Sequence, residues 1–298
     1  MKAWLSAFRL RTLPLALSSI LLGAFLAAKN LSYKFEVTLW CVITTVFLQI
    51  LSNLANDYGD AQNGADNDNR KGPSRAVQTG AISKTAMFRA IIIFVLLSLS
   101  SGLYLLWISF GLEHIEQGLV LLGIGLLAIL AAIKYTAGKN PYGYAGLGDI
   151  SVFLFFGLVG VLGTYYLHTL TFNWFLLLPA SACGLFSVVV LNINNIRDID
   201  SDVIAGKRSI PVRLGKKAAR IYNWFLIGGG LVCAATFTFF VADSLYQWLF
   251  LVSVPPLLFI GKSVYTIYEP MKIDPFLKFM ALTTLLFALS FGVGGLLG

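Results

Sequence analysis

The chain has 298 residues, 57% of them hydrophobic and 12% charged, with a formal net charge of +8. A soluble domain keeps about a quarter of its residues charged, so this composition excludes a soluble globular enzyme. Two histidines and three cysteines without metal-ligand spacing exclude a zinc site, and Cys41, Cys183 and Cys233 read as small apolar residues rather than disulfide partners.

Apolar blocks recur along the chain, each long enough to cross a bilayer as a helix of about 20 residues. They lack the alternation of a membrane barrel, and helices satisfy their own backbone hydrogen bonds in lipid. The expected fold is therefore all-α, a polytopic transmembrane bundle of about nine helices with Asp-rich cytoplasmic loops. The spans fall near residues 13–28, 37–53, 85–108, 118–135, 150–167, 174–194, 219–241, 245–268 and 275–297. The first block follows Lys2, Arg9 and Arg11 and contains small residues at 24–28, as a signal peptide would. The many spans behind it favour an uncleaved helix.

Basic residues alternate with the spans. Lys2, Arg9 and Arg11 precede the first. Arg70, Lys71, Arg75 and Lys84 follow the second, Lys134 and Lys139 the fourth, and Arg197, Lys207, Arg208, Arg213, Lys216, Lys217 and Arg220 the sixth. The intervening connections hold few such residues. The positive-inside rule then puts the amino terminus and the polar segments in the cytoplasm and the carboxyl terminus outside, in a cell (inner) membrane. This placement accounts for the net charge, and no nucleic-acid partner is expected.

Two segments on the basic side share a chemistry. The second span ends in Asn53-Leu-Ala-Asn56-Asp57-Tyr-Gly-Asp60, and the sixth in Asn192-Ile-Asn-Asn195-Ile-Arg-Asp198-Ile-Asp200-Ser-Asp202. Each continues into a Gly/Pro/Arg stretch, through Arg75 in one case and through Lys207, Arg208 and Arg213 in the other. The echo divides a single transmembrane domain (residues 1–298) into halves at about 1–135 and 136–268, plus a ninth helix at 275–297. Residues three or four apart share a helix face, so Asn53, Asn56, Asp57 and Asp60 form one polar surface and Asn195, Asp198 and Asp202 another. Carboxylates held together at a membrane boundary repel each other, and a divalent cation relieves the repulsion. Oxygen-only ligands favour Mg²⁺ with phosphate oxygens and water. For Asp66, Asp68 and Asp200 a solvated loop role fits equally well. Lys84, Lys216, Lys217 and Arg220 fit plain orientation signals. Gly261-Lys-Ser lacks the upstream glycine of a P-loop, which excludes that mode of nucleotide binding.

The patterns Asn56-Asp57-x-x-Asp60 and Asp198-x-x-x-Asp202, with nine spans, resemble the UbiA superfamily of intramembrane aromatic prenyltransferases. Gly72-Pro-Ser-Arg-Ala-Val-Gln78 and Arg197-Asp-Ile-Asp-Ser-Asp202 with Gly206-Lys-Arg are similar to its 1,4-dihydroxy-2-naphthoate branch, which serves menaquinone synthesis. Gly64 stands where the superfamily usually carries a third Asp; the naphthoate branch shares this glycine, and Asp66 or Asp68 takes the third ligand position. The resemblance implies an Mg²⁺-dependent transfer from a polyprenyl diphosphate to 1,4-dihydroxy-2-naphthoate with loss of CO₂, giving demethylmenaquinol. It assigns Asp57, Asp60, Asp66, Asp198 and Asp202 to the metal, with Asp57, Asp60, Asp198 and Asp202 as the catalytic set. It assigns Asn53, Asn56, Arg70, Arg75, Tyr135, Lys139, Tyr142, Asn192, Asn195, Lys207 and Arg208 to substrate. The prenyl tail would lie between helices beside lipid. Tyr58, Tyr135 and Tyr142 are candidate neighbours of the allylic cation, and the aromatic belt of a membrane protein explains them equally well. Other readings are an acceptor such as 4-hydroxybenzoate or homogentisate, and a Mg²⁺-binding membrane transporter. A CDP-alcohol phosphotransferase is disfavoured, because no Asp-Gly-x-x-Ala-Arg run is present.

Overall fold

A computed structural model describes residues 2–64 and 75–298. Among them only helices form, and nine are long and apolar enough to cross a membrane. They are α1 (Lys2–Lys29), α2 (Phe35–Gln62), α3 (Lys84–Phe110), α4 (Ile115–Lys134), α5 (Gly148–Thr169), α6 (Trp174–Ile204), α7 (Ile210–Val241), α8 (Leu245–Thr266) and α9 (Pro270–Leu297).

Two of these helices outrun the hydrophobic blocks that announce them. Helix α2 continues past Asn53 to Gln62, and α6 continues past Asn194 to Ile204. The hydropathy falls because these turns carry Asn and Asp, not because the helix ends. Asp57, Asp60, Asp198 and Asp202 thus lie on helical turns, as their three- and four-residue spacing predicts. The helical backbone fixes the spacing between these carboxylates, as a loop would not.

Helix α1 breaks at Arg9, whose φ of 47° is left-handed. A helix end leaves carbonyls without partners. Here the Asn53 amide donates to the Phe8 carbonyl at 2.9 Å and to the Thr12 hydroxyl at 3.2 Å. The break is thereby tied to the inner end of α2. In α5 the middle turns, Phe153–Gly163, widen into π-helix, a distortion that often accompanies functional sites.

Helix α2 packs on α1, α3 and α4, while α6 packs on α5, α7 and α9, and α9 closes the bundle against α1. One core surrounds Phe186, Phe250 and Phe287 at the junction of α6, α8 and α9. Another joins Leu51 and Leu54 of α2 to Met87 of α3 and to Ala76 and Val77 of the following turn. A third, around Cys41, Leu105 and Leu167, closes the opposite end. Helix α4 buries only Ile129. Its exposed leucines, with Phe225, Val232 and Phe239 of α7, form faces suited to hydrocarbon rather than water.

Candidate active site

The inner ends of α2 and α6 converge. Asp60, on the last turns of α2, is 2% exposed. One of its oxygens pairs with the Arg75 guanidinium, and the other accepts the Tyr144 hydroxyl at 2.7 Å and meets the Lys207 ammonium at 3.2 Å. The same ammonium lies 3.4 Å from Asp202 of α6. One lysine therefore bridges the final aspartates of the two helices, and it sits 4.8 Å above the Tyr144 ring.

The connection between α4 and α5 is the cover that holds this arrangement. Its Thr136 hydroxyl donates to the Ala55 carbonyl at 3.1 Å and lies 3.2 Å from the Asn56 side-chain oxygen. Gly59 makes the close approach feasible, because a Cβ there would stand 2.5 Å from the Thr136 carbonyl carbon and 2.6 Å from the Ala137 nitrogen. On the α6 side the Arg208 backbone N–H donates to the Tyr144 carbonyl at 2.8 Å. Arg213 donates to the carbonyls of Arg208 and Ala145 at 2.9 and 2.6 Å. Gly146 turns the loop with φ +80°, and any side chain there would collide with the Arg208 carbonyl. Burial, and next the Asp60 carboxylate, hold the Tyr144 phenol above its ordinary range. It stays protonated and donates. Burial likewise raises the phenols of Tyr135 and Tyr142.

The other two aspartates of the expected set are occupied by the protein itself. Asp57 accepts the backbone N–H groups of Ala76 and Val77 at 3.2 and 3.3 Å. Asp198 is held at both oxygens by the Arg197 guanidinium, at 2.8 and 2.6 Å. Arg197 also pairs with Asp274 at the start of α9, and Asp274 meets Arg11 at 3.4 Å.

Outward from Asp60 a cavity of about 460 Å³ runs between the helices. Along α2 it extends from Asp60 to Cys41, about 28 Å at helical rise. Its inner wall carries Asn53, Asn56, Arg75, Tyr135, Tyr142, Asn195 and Lys207, and its outer wall Leu105, Leu106, Leu121 and Leu122. Asn192 is apart from it, fully buried and donating to the Ala219 carbonyl and the Asn223 side chain at 3.2 and 2.9 Å. Lys139 and the Arg208 side chain are exposed. Tyr58 packs toward Phe88 of α3. Asp66, Asp68 and Arg70 lie outside the described residues. Sequence reasoning missed Tyr144, Thr136, Asn194, Arg11 and Asp274. Asn194, beside Asn195, was open to discovery from the motif, and Tyr144 from the Pro-Tyr-Gly-Tyr run.

Among the described residues no three His, Cys, Asp or Glu side chains form a metal cluster. The Asp60–Asp202 pair nevertheless suits Mg²⁺, which is commonly held by one or two carboxylates with substrate phosphates and water completing an octahedron. A cation already bridges these two carboxylates, in the form of the lysine ammonium.

Residues 16–290 match the UbiA prenyltransferase family. The chain is 46% identical to the 1,4-dihydroxy-2-naphthoate octaprenyltransferase of Escherichia coli over 97% of this chain and 94% of that one. It is 43% identical to the Haemophilus influenzae protein of the same name, over 100% and 97%. The fold matches a UbiA homolog from Aeropyrum pernix with a TM-score of 0.66 at 15% identity, over 94% of this chain and 97% of that one. A UbiA homolog from Archaeoglobus fulgidus bound to GPP and Mg²⁺ gives 0.62 at 15% identity, over 97% and 99%. Nine membrane-length helices, their paired aspartate turns and these matches make the chain a member of the UbiA prenyltransferase family.

Proposed function

We propose that the chain transfers a polyprenyl group from a polyprenyl diphosphate to 1,4-dihydroxy-2-naphthoate, releasing pyrophosphate and CO₂ and yielding demethylmenaquinol. The observation that carries this reading is the continuity of the Asp60–Lys207–Asp202 centre with a long apolar cavity. An amphiphile with a charged head and a hydrocarbon tail matches both ends at once. The names of the relatives supply the acceptor.

Asp60 and Asp202 would hold Mg²⁺, which, when bound, offsets the charge of the diphosphate and of the departing pyrophosphate. Arg75 and Lys207 lie beside the same point and stabilise the charge that grows on the leaving oxygen. Tyr144 orients Asp60 by its hydrogen bond. The allylic C–O bond breaks with its electrons going to pyrophosphate. The ring carbon that carries the carboxylate forms the new C–C bond. Its bond to the carboxylate then breaks, CO₂ leaves, and the electron pair returns to the ring. Tyr135 and Tyr142, in T-shaped contact at 5.4 Å, line the inner cavity where their ring faces can favour the allylic cation. The apolar wall excludes water that would quench it.

The reading extends to the membrane. The basic residues at this end of the helices support an amino terminus and aspartate turns in the cytoplasm, a carboxyl terminus outside, and a place in the inner membrane. The similar helix ends support a division into two repeated halves. The test is to incubate the purified protein and Mg²⁺ with radiolabelled polyprenyl diphosphate and a panel of aromatic acids. Labelled demethylmenaquinol from the naphthoate is the expected product. Transfer to 4-hydroxybenzoate or homogentisate alone would reassign the acceptor, and no transfer at all would remove the enzyme.

A further inference from the structure

Asp198 and Asp202 are four residues apart on α6 and share a face, yet only Asp202 meets the Lys207 bridge. Asp198 is gripped by its own neighbour. The Arg197 side chain is 1% exposed. It donates from Nε and Nη2 to the two oxygens of Asp198, from Nη2 to the Asn194 side chain at 2.9 Å, and from Nη1 to Asp274. A buried guanidinium needs a carboxylate partner, because stranding it without one is strongly destabilising. Arg197 has two. Either can leave while the other keeps the charge paired.

We propose that Asp274, far from both aspartate motifs in sequence, is a positioning residue for the cation site. It is the standing partner of Arg197 that frees Asp198 to turn toward the metal–diphosphate. The inference rests on the reading that Asp198 is a ligand of that cation. Asp274 is suited to the task. It opens α9 beside Pro275, its second oxygen is steadied by Arg11 at 3.4 Å, and it is partly exposed. Arg11, Arg197, Asp198 and Asp274 together carry no net charge. Moving Arg197 wholly onto Asp274 and Asn194 therefore releases one carboxylate without leaving a buried cation unpaired. Replacing Asp274 by Asn cancels this arrangement. Arg197 then has Asp198 as its one carboxylate and keeps it.

The test measures binding rather than turnover. The full chain in lipid nanodiscs is titrated with Mn²⁺ in the presence of inorganic pyrophosphate, and free Mn²⁺ is read by electron paramagnetic resonance. Substitution of residues behind a metal ligand typically costs about ten- to a hundredfold in metal affinity, and that loss is expected for Asp274→Asn. Asp274→Glu should bind nearly as wild type. Arg197→Gln alone should bind at least as tightly as wild type, and Arg197→Gln combined with Asp274→Asn should recover most of what Asp274→Asn loses. A purely structural role for Asp274 would leave the double variant as weak as the single one, and that result overturns the proposal. So does weakened binding by Arg197→Gln, which remains informative if Asp274→Asn fails to fold. Wild-type binding by Asp274→Asn, with Asp198→Asn weakened, removes the positioning role and leaves Asp198 as a ligand. Wild-type binding by Asp198→Asn removes the ligand reading, and the positioning role with it.

Discussion

The inner ends of α2 and α6 use the same kinds of side chain for a parallel sequence of tasks, from which Asp200, paired with Lys216, stands apart. The first Asn of each is a brace. Asn53 ties α2 to the break in α1, and Asn192 ties α6 to α7. The Asn three residues on in each, Asn56 or Asn195, faces the cavity. The next acidic residue is held inside the protein, Asp57 by two backbone N–H groups and Asp198 by Arg197. The final one, Asp60 or Asp202, reaches Lys207. The ends differ in how firmly that last carboxylate is held. Asp60 is fixed by Arg75, Tyr144 and Lys207, whereas Asp202 meets Lys207 alone of those three. The carboxylates of a helix-spaced acidic motif are thus not held alike. Its turns divide into braces, wall, anchor and centre.

The first way to break this comparison is to remove each final carboxylate. Asp60→Asn takes the shared acceptor from two cations and a phenol. It should lower kcat by about 10²–10³-fold, the range seen when a group aimed at developing charge is lost. Asp202→Asn should cost less, because it takes its acceptor from Lys207 alone of those groups. Single-turnover rates at saturating donor check both, and an equal or reversed order would show that the two ends contribute alike.

Tyr144→Phe sharpens the asymmetry, since it acts on one end only. Losing a hydrogen bond to a charged group costs about 1.5 kcal/mol or somewhat more, close to tenfold in rate. The loss should vanish in an Asp60→Asn background, which a double-mutant cycle measures. The same phenol predicts a pH effect. Its folded-state pKa lies above the ordinary value of about 10, for reasons of burial first and Asp60 second. The stability it supports is fully present below that ordinary value. It is lost as pH rises through the folded pKa, because the unfolded chain deprotonates first. Thermal unfolding in detergent micelles should therefore weaken above pH of about 10, and less steeply in Tyr144→Phe.

Much of this division was written in the sequence and some was not. Helical periodicity placed Asn53, Asn56, Asp57 and Asp60 on one polar stretch. Periodicity says which face a residue occupies, but not which element covers that face. Asp57 meets a turn about twenty positions downstream, and Asp60 meets Tyr144 from the connection between α4 and α5. Asp274, at the start of the last helix, reaches the sixth through Arg197. Such partners are set by tertiary packing, so the sequence carried no local signal of which group holds each aspartate. The helix ends were misplaced for a related reason. Hydropathy registers contact with lipid, and the last turns of α2 and α6 are helical but covered by protein instead.

The smallest expected effect on catalysis belongs to Asn192, the first Asn of the α6 end. Asn192 is fully buried, and its amide joins the Ala219 carbonyl and the Asn223 side chain. Its place is the seam between α6 and α7, outside the cavity wall. Asn192→Ala removes both bonds and leaves the acceptor of the fully buried Asn223 unmet. An unsatisfied buried polar group costs about 1–3 kcal/mol, and that is the expected loss in unfolding free energy. The KM values for donor and acceptor should stay at their wild-type levels, because Asn192 does not line the cavity. Asn195→Ala should invert the pattern, with little loss of stability and a raised KM, since Asn195 forms part of the wall. Denaturation in micelles and steady-state kinetics on the two variants separate the roles. A raised donor KM in Asn192→Ala with unchanged stability would turn the brace into a substrate contact, and the parallel between the two helix ends would then fail at its first position.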